Sequence, residues 1–128
     1  MPCLKYQKHH HLIYSCKYHV IFCPKHRKKI LIGKTADIIK RAVISKQDQY
    51  GYKIIEMEVM PDHVHLLLDV SPRDDIAKIT DMIKGYTSFM ISKEFGVFRK
   101  PVWAPSKFIS SVGAVTLDVV KKYIEAQK

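Results

Sequence analysis

Two histidines separated by one hydrophobic residue, His63-Val64-His65, and a tyrosine followed four residues later by a glutamine, Tyr123 and Gln127, are the residues whose types and spacing best suit chemistry. Alternate side chains of an extended strand share a face, so His63 and His65 stand together, roughly 6.5–7 Å apart along the chain, while Val64, Leu66, Leu68 and Val70 point the other way. Two imidazoles so placed can converge on one cation. On a helix, residues i and i+4 lie one above the other, which puts Tyr123 and Gln127 on one face. A phenol has an ordinary pKa of about 10 and is a poor nucleophile at neutral pH. Positive charge from the flanking Lys121 and Lys122, together with a histidine-held metal, would favour the phenolate and polarise an electrophile, and the amide oxygen of Gln127 would complete the metal shell. Each signal alone has a plainer reading. An H-x-H pair can decorate a solvent-facing strand, and a tyrosine on a terminal helix can simply pack against a sheet.

The elements that must position these groups follow from periodicity. The segment from His11 to Cys23 alternates as a strand, with Leu12, Tyr14, Cys16, Tyr18, Val20 and Phe22 on one face and Ser15, Lys17 and His19 on the other. Pro24 ends it, and the basic tract Lys25, His26, Arg27, Lys28, Lys29 follows. Thr35 is a plausible cap for a helix running to about Tyr50, with a stripe of Ile38, Ile39, Ala42 and Val43, closed by Gly51. Tyr52 to Met60 and His63 to Val70 read as strands joined by a tight Pro61-Asp62 turn. A two-residue turn pairs Met60 with His63, Glu58 with His65 and Glu56 with Leu67, and on the opposite face Val59 with Val64, Met57 with Leu66 and Ile55 with Leu68. The second face is wholly apolar and the histidine face collects two glutamates. Glu58 thereby becomes a candidate partner behind the ligands, or a weak extra ligand. Asp74 can cap a long helix to about Phe95 with a stripe of Ile76, Ile79, Met82, Ile83, Tyr86, Phe89 and Met90, stopped by Gly96. Val102 to Ser110 reads as a fourth strand, and Thr116 to Gln127 as a final helix after Gly113.

The order β-α-β-β-α-β-α is that of an α+β, ferredoxin-like (RRM-like) plait, with two helices on one face of an antiparallel sheet and the other face free for a site. The 128 residues suit one domain, 1–128, and 47% hydrophobic residues suffice for its core. Lys and Arg number 22 against 12 Asp and Glu, a formal +10, which points to a polyanionic partner, nucleic acid first and anionic membrane second. The candidate phosphate contacts are Lys25, Arg27, Lys28, Lys29, Arg99 and Lys100. His9, His10 and His11 precede the first strand and read as a solvated end. Three scattered cysteines without a CxxC suit reduced thiols in a cytoplasmic protein, and neither a signal-peptide segment nor a membrane-spanning run is present.

Taken together these residues resemble the single-tyrosine HUH transposases (TnpA-type) of the smallest bacterial and archaeal insertion sequences, HUH meaning histidine, hydrophobic residue, histidine. The motif stands within Met60-Pro61-Asp62-His63-Val64-His65-Leu66. The resemblance extends to Tyr18-His19-Val20-Ile21-Phe22-Cys23-Pro24-Lys25-His26-Arg27, to Trp103-Ala104-Pro105-Ser106 with Val112-Gly113, and to Tyr123-Ile124-Glu125-Ala126-Gln127, so it covers the chain from about Leu12 on. It implies a homodimer working without a nucleotide cofactor or a membrane, on single-stranded DNA with hairpins near the element's ends. By residue it implies His63, His65 and Gln127 as metal ligands, Tyr123 as the nucleophile and a 5′-phosphotyrosine intermediate. It also implies that the tyrosine helix docks against the histidine pair of the partner subunit. Mixed nitrogen and oxygen ligands suit Mg²⁺ or Mn²⁺, with imidazole favouring Mn²⁺. Two other readings stand beside this one: a non-catalytic RRM-like nucleic-acid-binding module, although no strand carries an RNP-type aromatic pattern, and an HUH nuclease acting at chromosomal repeats or replication origins.

Overall fold

Antiparallel pairing in the computed structural model arranges the central strands around the histidine hairpin. The structure describes residues 7–9, 12–14, 16–96, 101–112 and 117–127. The elements are β1 (Gln7–His9), β2 (Leu12–Tyr14), β3 (Lys17–Phe22), α1 (Gly33–Ser45), α2 (Gln47–Tyr50), β4 (Tyr52–Met60), β5 (His63–Val70), α3 (Ile76–Phe95), β6 (Phe108–Ser111) and α4 (Leu117–Glu125). Strands β4-β5-β3-β6 form one four-stranded sheet in that order, and β1 and β2 form a separate two-stranded ribbon. All pairs in both sheets are antiparallel. This is the ferredoxin-like plait that the element order predicts.

The core lies between the sheet and the helices α1 and α3. Val64, Leu66, Leu68 and Val70 of β5 alternate onto it with Val20 and Phe22 of β3, all at most 1% exposed. Ile39, Ala42 and Val43 of α1, with Ile79, Ile83 and Ile91 of α3, close it from the helical side. Each of the larger apolar side chains, Val, Leu, Ile and Phe, contributes about 1.5–3 kcal/mol on burial. Thr80 and Thr87 are buried among them because each hydroxyl donates to the carbonyl four residues back, Ile76 and Ile83, at 2.8 Å. Trp103 adds a cross-link. Its ring meets Phe22 edge-on at 4.6 Å, and its Nε1 donates to Thr87 Oγ1 at 2.9 Å.

Several expectations need correction. The strand expected from His11 to Cys23 is two pieces, since Leu12–Tyr14 pairs with Gln7–His9 and only Lys17–Phe22 joins the main sheet. His9 therefore lies inside a strand, and His10 and His11 lie outside the described residues. Helix α1 starts at Gly33 without a side-chain cap, so Thr35 is inside it, and the run to Tyr50 breaks at Lys46. Asp75, not Asp74, caps α3, accepting from the amides of Ala77 and Lys78. Phe89 of the expected core stripe is 54% exposed, because Ile83, Thr87 and Ile91 carry the buried line of this part of α3. The fourth strand shrinks to Phe108–Ser111, preceded by a single bridge between Trp103 and Pro24. The final helix spans Leu117–Glu125, and the approach to it through Gly113 and Ala114 lies outside the described residues.

Gly51 and Gly96 end their helices as expected, both in the left-handed region at φ 81° and 70°. The β4–β5 register is also as expected from Met60↔His63 to Glu56↔Leu67, after which a bulge puts Ile54, instead of Ile55, opposite Leu68. Among the described residues no helix is long and apolar enough to cross a membrane.

Candidate active site

The register assembles a site on the face of the sheet opposite α1 and α3. Glu58 pairs with His65, His65 with Ile21, and Ile21 with Phe108, so these four residues form one cross-strand row on that face. His63 lies in the adjacent row opposite Met60, next to the tight turn. The face is not free throughout. Ile21 and Leu67 on it are 0% and 6% exposed, and at the β6 end the ring of Tyr123 stacks at a tilt on Phe108, with centroids 5.2 Å apart.

Both histidines are half-buried and tied by polar contacts. His63 Nδ1 donates to Asp62 Oδ1 at 2.9 Å, which fixes the ring in the way usual behind a metal-binding imidazole. His65 Nε2 lies 3.0 Å from His19 Nδ1 of β3, with the two rings 5.2 Å apart. Burial, and then the neighbouring His19, lower the pKa of His65 and hold it neutral, the state a ligand needs; Glu58 opposes that shift. Among the described residues no three His, Cys, Asp or Glu side chains are grouped to hold a metal ion. The donors that could hold a cation here are the two imidazoles, and the Gln127 amide oxygen is engaged by Ser106.

Tyr123 of α4 and Gln127, just past its end, converge on one hydroxyl. Ser106 Oγ donates to Gln127 Oε1 at 2.6 Å and lies 3.3 Å from Tyr123 Oη. Burial raises the phenol pKa and the Ser106 contact partly offsets that. Lys121 and Lys122 are exposed and are not among the groups that shift it, so the expectation that they favour the phenolate is not met. Ser106 is itself fixed from α3. Lys84 Nζ donates to the carbonyls of Ala104, Pro105 and Ser106 at 2.8, 3.4 and 3.1 Å, and burial lowers the pKa of this lysine. Ala104 N also donates to Cys23 O at 2.8 Å, lashing the segment to the end of β3. Cys23 is fully buried there, its thiol pushed up to about 11 by burial and then by Asp62.

The structure thus gathers His63 with His65 and Tyr123 with Gln127, and Arg27 reaches from Asp62, beside the first pair, to Ile124, beside the second. His65 and Phe108 are two strands apart, roughly 10 Å at ordinary strand spacing, and the ring of Tyr123 rests on Phe108. Of the basic tract, Lys25, Lys28 and Lys29 are exposed, whereas Arg27 is drawn inward to Asp62 and α4. Arg99 and Lys100 lie outside the described residues. Sequence reasoning did not single out His19, Asp62, Ser106 or Lys84. Asp62 is legible as the residue before the first histidine, where its place in the tight turn is enough to account for it. His19 alternates away from the core in sequence, yet its meeting with His65 depends on a pairing across 46 residues.

A family model for IS200-like transposases matches residues 12–127. The chain belongs to the IS200-like transposase family. It is 34% identical over 129 residues to the ISDra2 transposase TnpA of Deinococcus radiodurans, covering 97% of this chain and 92% of that protein. The IS200 transposase of Salmonella typhimurium is 26% identical over 126 residues, covering 92% and 83%. A crystal structure from D. radiodurans R1, of a protein assigned as a transposase, superposes with a TM-score of 0.85 at 30% identity, covering 94% of this chain and 97% of that one. A REP-associated tyrosine transposase bound to a REP hairpin shares the fold at a TM-score of 0.58 and 14% identity, over 95% and 69% of the two chains. This transposase is an enzyme acting on DNA, and the non-catalytic RRM-like reading is not favoured.

Proposed function

We propose that this transposase cuts and rejoins single-stranded DNA at the ends of an insertion sequence, with Tyr123 as its nucleophile. The observation that carries the reading is the placement of Tyr123 and Gln127 on one hydroxyl, Ser106, over the same sheet face that presents His63 and His65. His63, His65 and Gln127 would hold Mg²⁺ or Mn²⁺, which when bound polarises the scissile phosphate. The protein's own part is positional. Asp62 fixes the ring of His63, His19 steadies His65, and the Ser106 loop presents the phenol. Tyr123 Oη attacks phosphorus, the P–O3′ bond breaks, and the proton given up by the phenol balances the one taken by the departing 3′-oxygen. The product is a 5′-phosphotyrosine and a free 3′-hydroxyl. Attack on the adduct by another 3′-hydroxyl reverses the step and joins strands. The exposed Lys25, Lys28 and Lys29 supply phosphate contacts for hairpin-bearing DNA, and the working unit is a homodimer.

The test is Tyr123→Phe. It removes one long hydrogen bond and keeps the ring on Phe108, so folding and DNA binding persist while cleavage and the covalent adduct disappear. A denaturant-resistant protein–DNA species formed by this variant would remove Tyr123 from the role.

A further inference from the structure

We propose that Arg27 is a positioning residue that joins the tyrosine helix to the histidine hairpin through Asp62. Its side chain makes two contacts in different directions. Nε lies 3.5 Å from Asp62 Oδ2, and Nη1 donates to the Ile124 carbonyl at 3.2 Å. The other oxygen of Asp62 holds His63 Nδ1 at 2.9 Å, and Ile124 directly follows Tyr123. One guanidinium thus stands between a proposed ligand and the residue next to the proposed nucleophile. A planar fork with several N–H groups can serve two acceptors at once, whereas an ammonium is a point donor. The Ile124 carbonyl is in the last turn of α4, where backbone carbonyls are short of partners and a cation is favoured.

The backbone is shaped for this placement. His26 and Arg27 both adopt left-handed conformations, at φ 58° and 49°, a costly pair for residues other than glycine. The turn is pinned on both sides, by Lys25 N donating to Val102 O and Leu31 N to Pro61 O, both at 3.0 Å. Its neighbours in the basic tract, Lys25, Lys28 and Lys29, face solvent, while the Arg27 side chain is 22% exposed and Asp62 21%. Composition alone makes Arg27 one more phosphate contact. Its partners make it a strut inside the site.

The inference rests on the assignment of Tyr123 as nucleophile, and the experiment separates the two. Full-length wild type, Arg27→Gln, Arg27→Lys and Asp62→Asn are compared by single-turnover cleavage of a hairpin-bearing single-stranded oligonucleotide at saturating protein with Mn²⁺, and by affinity for it across a salt series. Both Arg27 variants should lose about ten- to a hundredfold in saturated rate, as when a group behind a metal ligand is removed, with affinity and salt slope unchanged. Lysine should fail to rescue. Asp62→Asn cuts the same link without removing a cation and should reproduce the loss, and the double variant should lose no more than either single one. If the Arg27 variants do not fold, Asp62→Asn decides by its rate at unchanged affinity.

An unchanged rate, full rescue by lysine, or a salt slope shallower by about 0.7, the signature of a lost single-strand phosphate contact, would each overturn the proposal. Absence of a Tyr123-dependent adduct in the wild type would refute the nucleophile assignment and this inference with it. A normal wild-type adduct with unaffected Arg27 variants would refute this inference alone.

Discussion

Replacing Ser106 by alanine should loosen the tyrosine helix selectively. The hydroxyl makes a short bond to Gln127 at 2.6 Å and a longer one to Tyr123 at 3.3 Å, and both lie at the surface. Exposed hydrogen bonds contribute toward the lower end of about 0.5–1.5 kcal/mol each, so the pair is worth about 1–2 kcal/mol to docking of α4. At about 1.4 kcal/mol per factor of ten, the opening equilibrium of the helix rises about five- to thirtyfold. The Arg27 contact to Ile124 and the Phe108–Tyr123 stacking remain, so the helix stays mostly docked. Hydrogen exchange followed by mass spectrometry reads this directly. Peptides spanning 117–127 should lose protection by that factor, while peptides of β5 stay unchanged because their amides belong to the core sheet. Ser106→Thr should restore most of the protection, and Gln127→Ala should reproduce more of the loss than Tyr123→Phe. Unaltered exchange in 117–127, or an equal loss in β5, would show that Ser106 does not clasp the helix.

Three further outcomes are expected. His63→Ala and His65→Ala should each abolish Mn²⁺ binding measured by calorimetry and reduce cleavage severely, with little change in thermal stability because both side chains face away from the main core; cleavage persisting in excess EDTA would contradict the metal assignment. Lys28→Ala with Lys29→Ala should weaken hairpin affinity and flatten its log–log salt slope by about 0.7 per lost contact, and an unaltered slope would mark the tract as a solvated loop. Mixing a His63→Ala, His65→Ala chain with a Tyr123→Phe chain, each inactive alone, should recover cleavage after subunit exchange, with the adduct on the chain that retains Tyr123. The resemblance, which implies a tyrosine helix docked on the partner's histidine pair, motivates this, and no recovery despite proven exchange would place the whole site within one subunit, where Arg27 already links α4 to Asp62.

The histidine hairpin was legible because everything that fixes it is local. A two-residue turn sets parity, and a single apolar face confirms it, so the pairing of Glu58 with His65 could be counted from Pro61 and Asp62. The long helix was legible for the same reason, its period and terminal Gly96 lying within one stretch of chain. Arg27 is the opposite case. Charge type and neighbours made it a phosphate contact, but its partners Asp62 and Ile124 are 35 and 97 positions away in sequence, as the numbering shows. Ser106 and Lys84 were hidden similarly, since a loop without periodicity acquires its shape from carbonyls captured by a distant lysine. The first strand was overextended because alternation continues through Leu12 to Phe22, and periodicity cannot distinguish one long strand from two that pair with different partners.

The bulge between Ile54 and Glu56 has a consequence for how this sequence can vary. Strand parity is counted from the Pro61-Asp62 turn on one side of the bulge and from Gly51 on the other, so the two halves of β4 keep separate phase. A residue gained or lost between Tyr52 and Ile54 can be taken up there as a change in the bulge, while Glu56, Glu58, His63 and His65 stay in step. The same change between Met57 and Met60 has no such joint to absorb it, and would turn the glutamates to the opposite side of the sheet. Length drift among relatives should therefore be permitted in the first third of this strand and forbidden in the last.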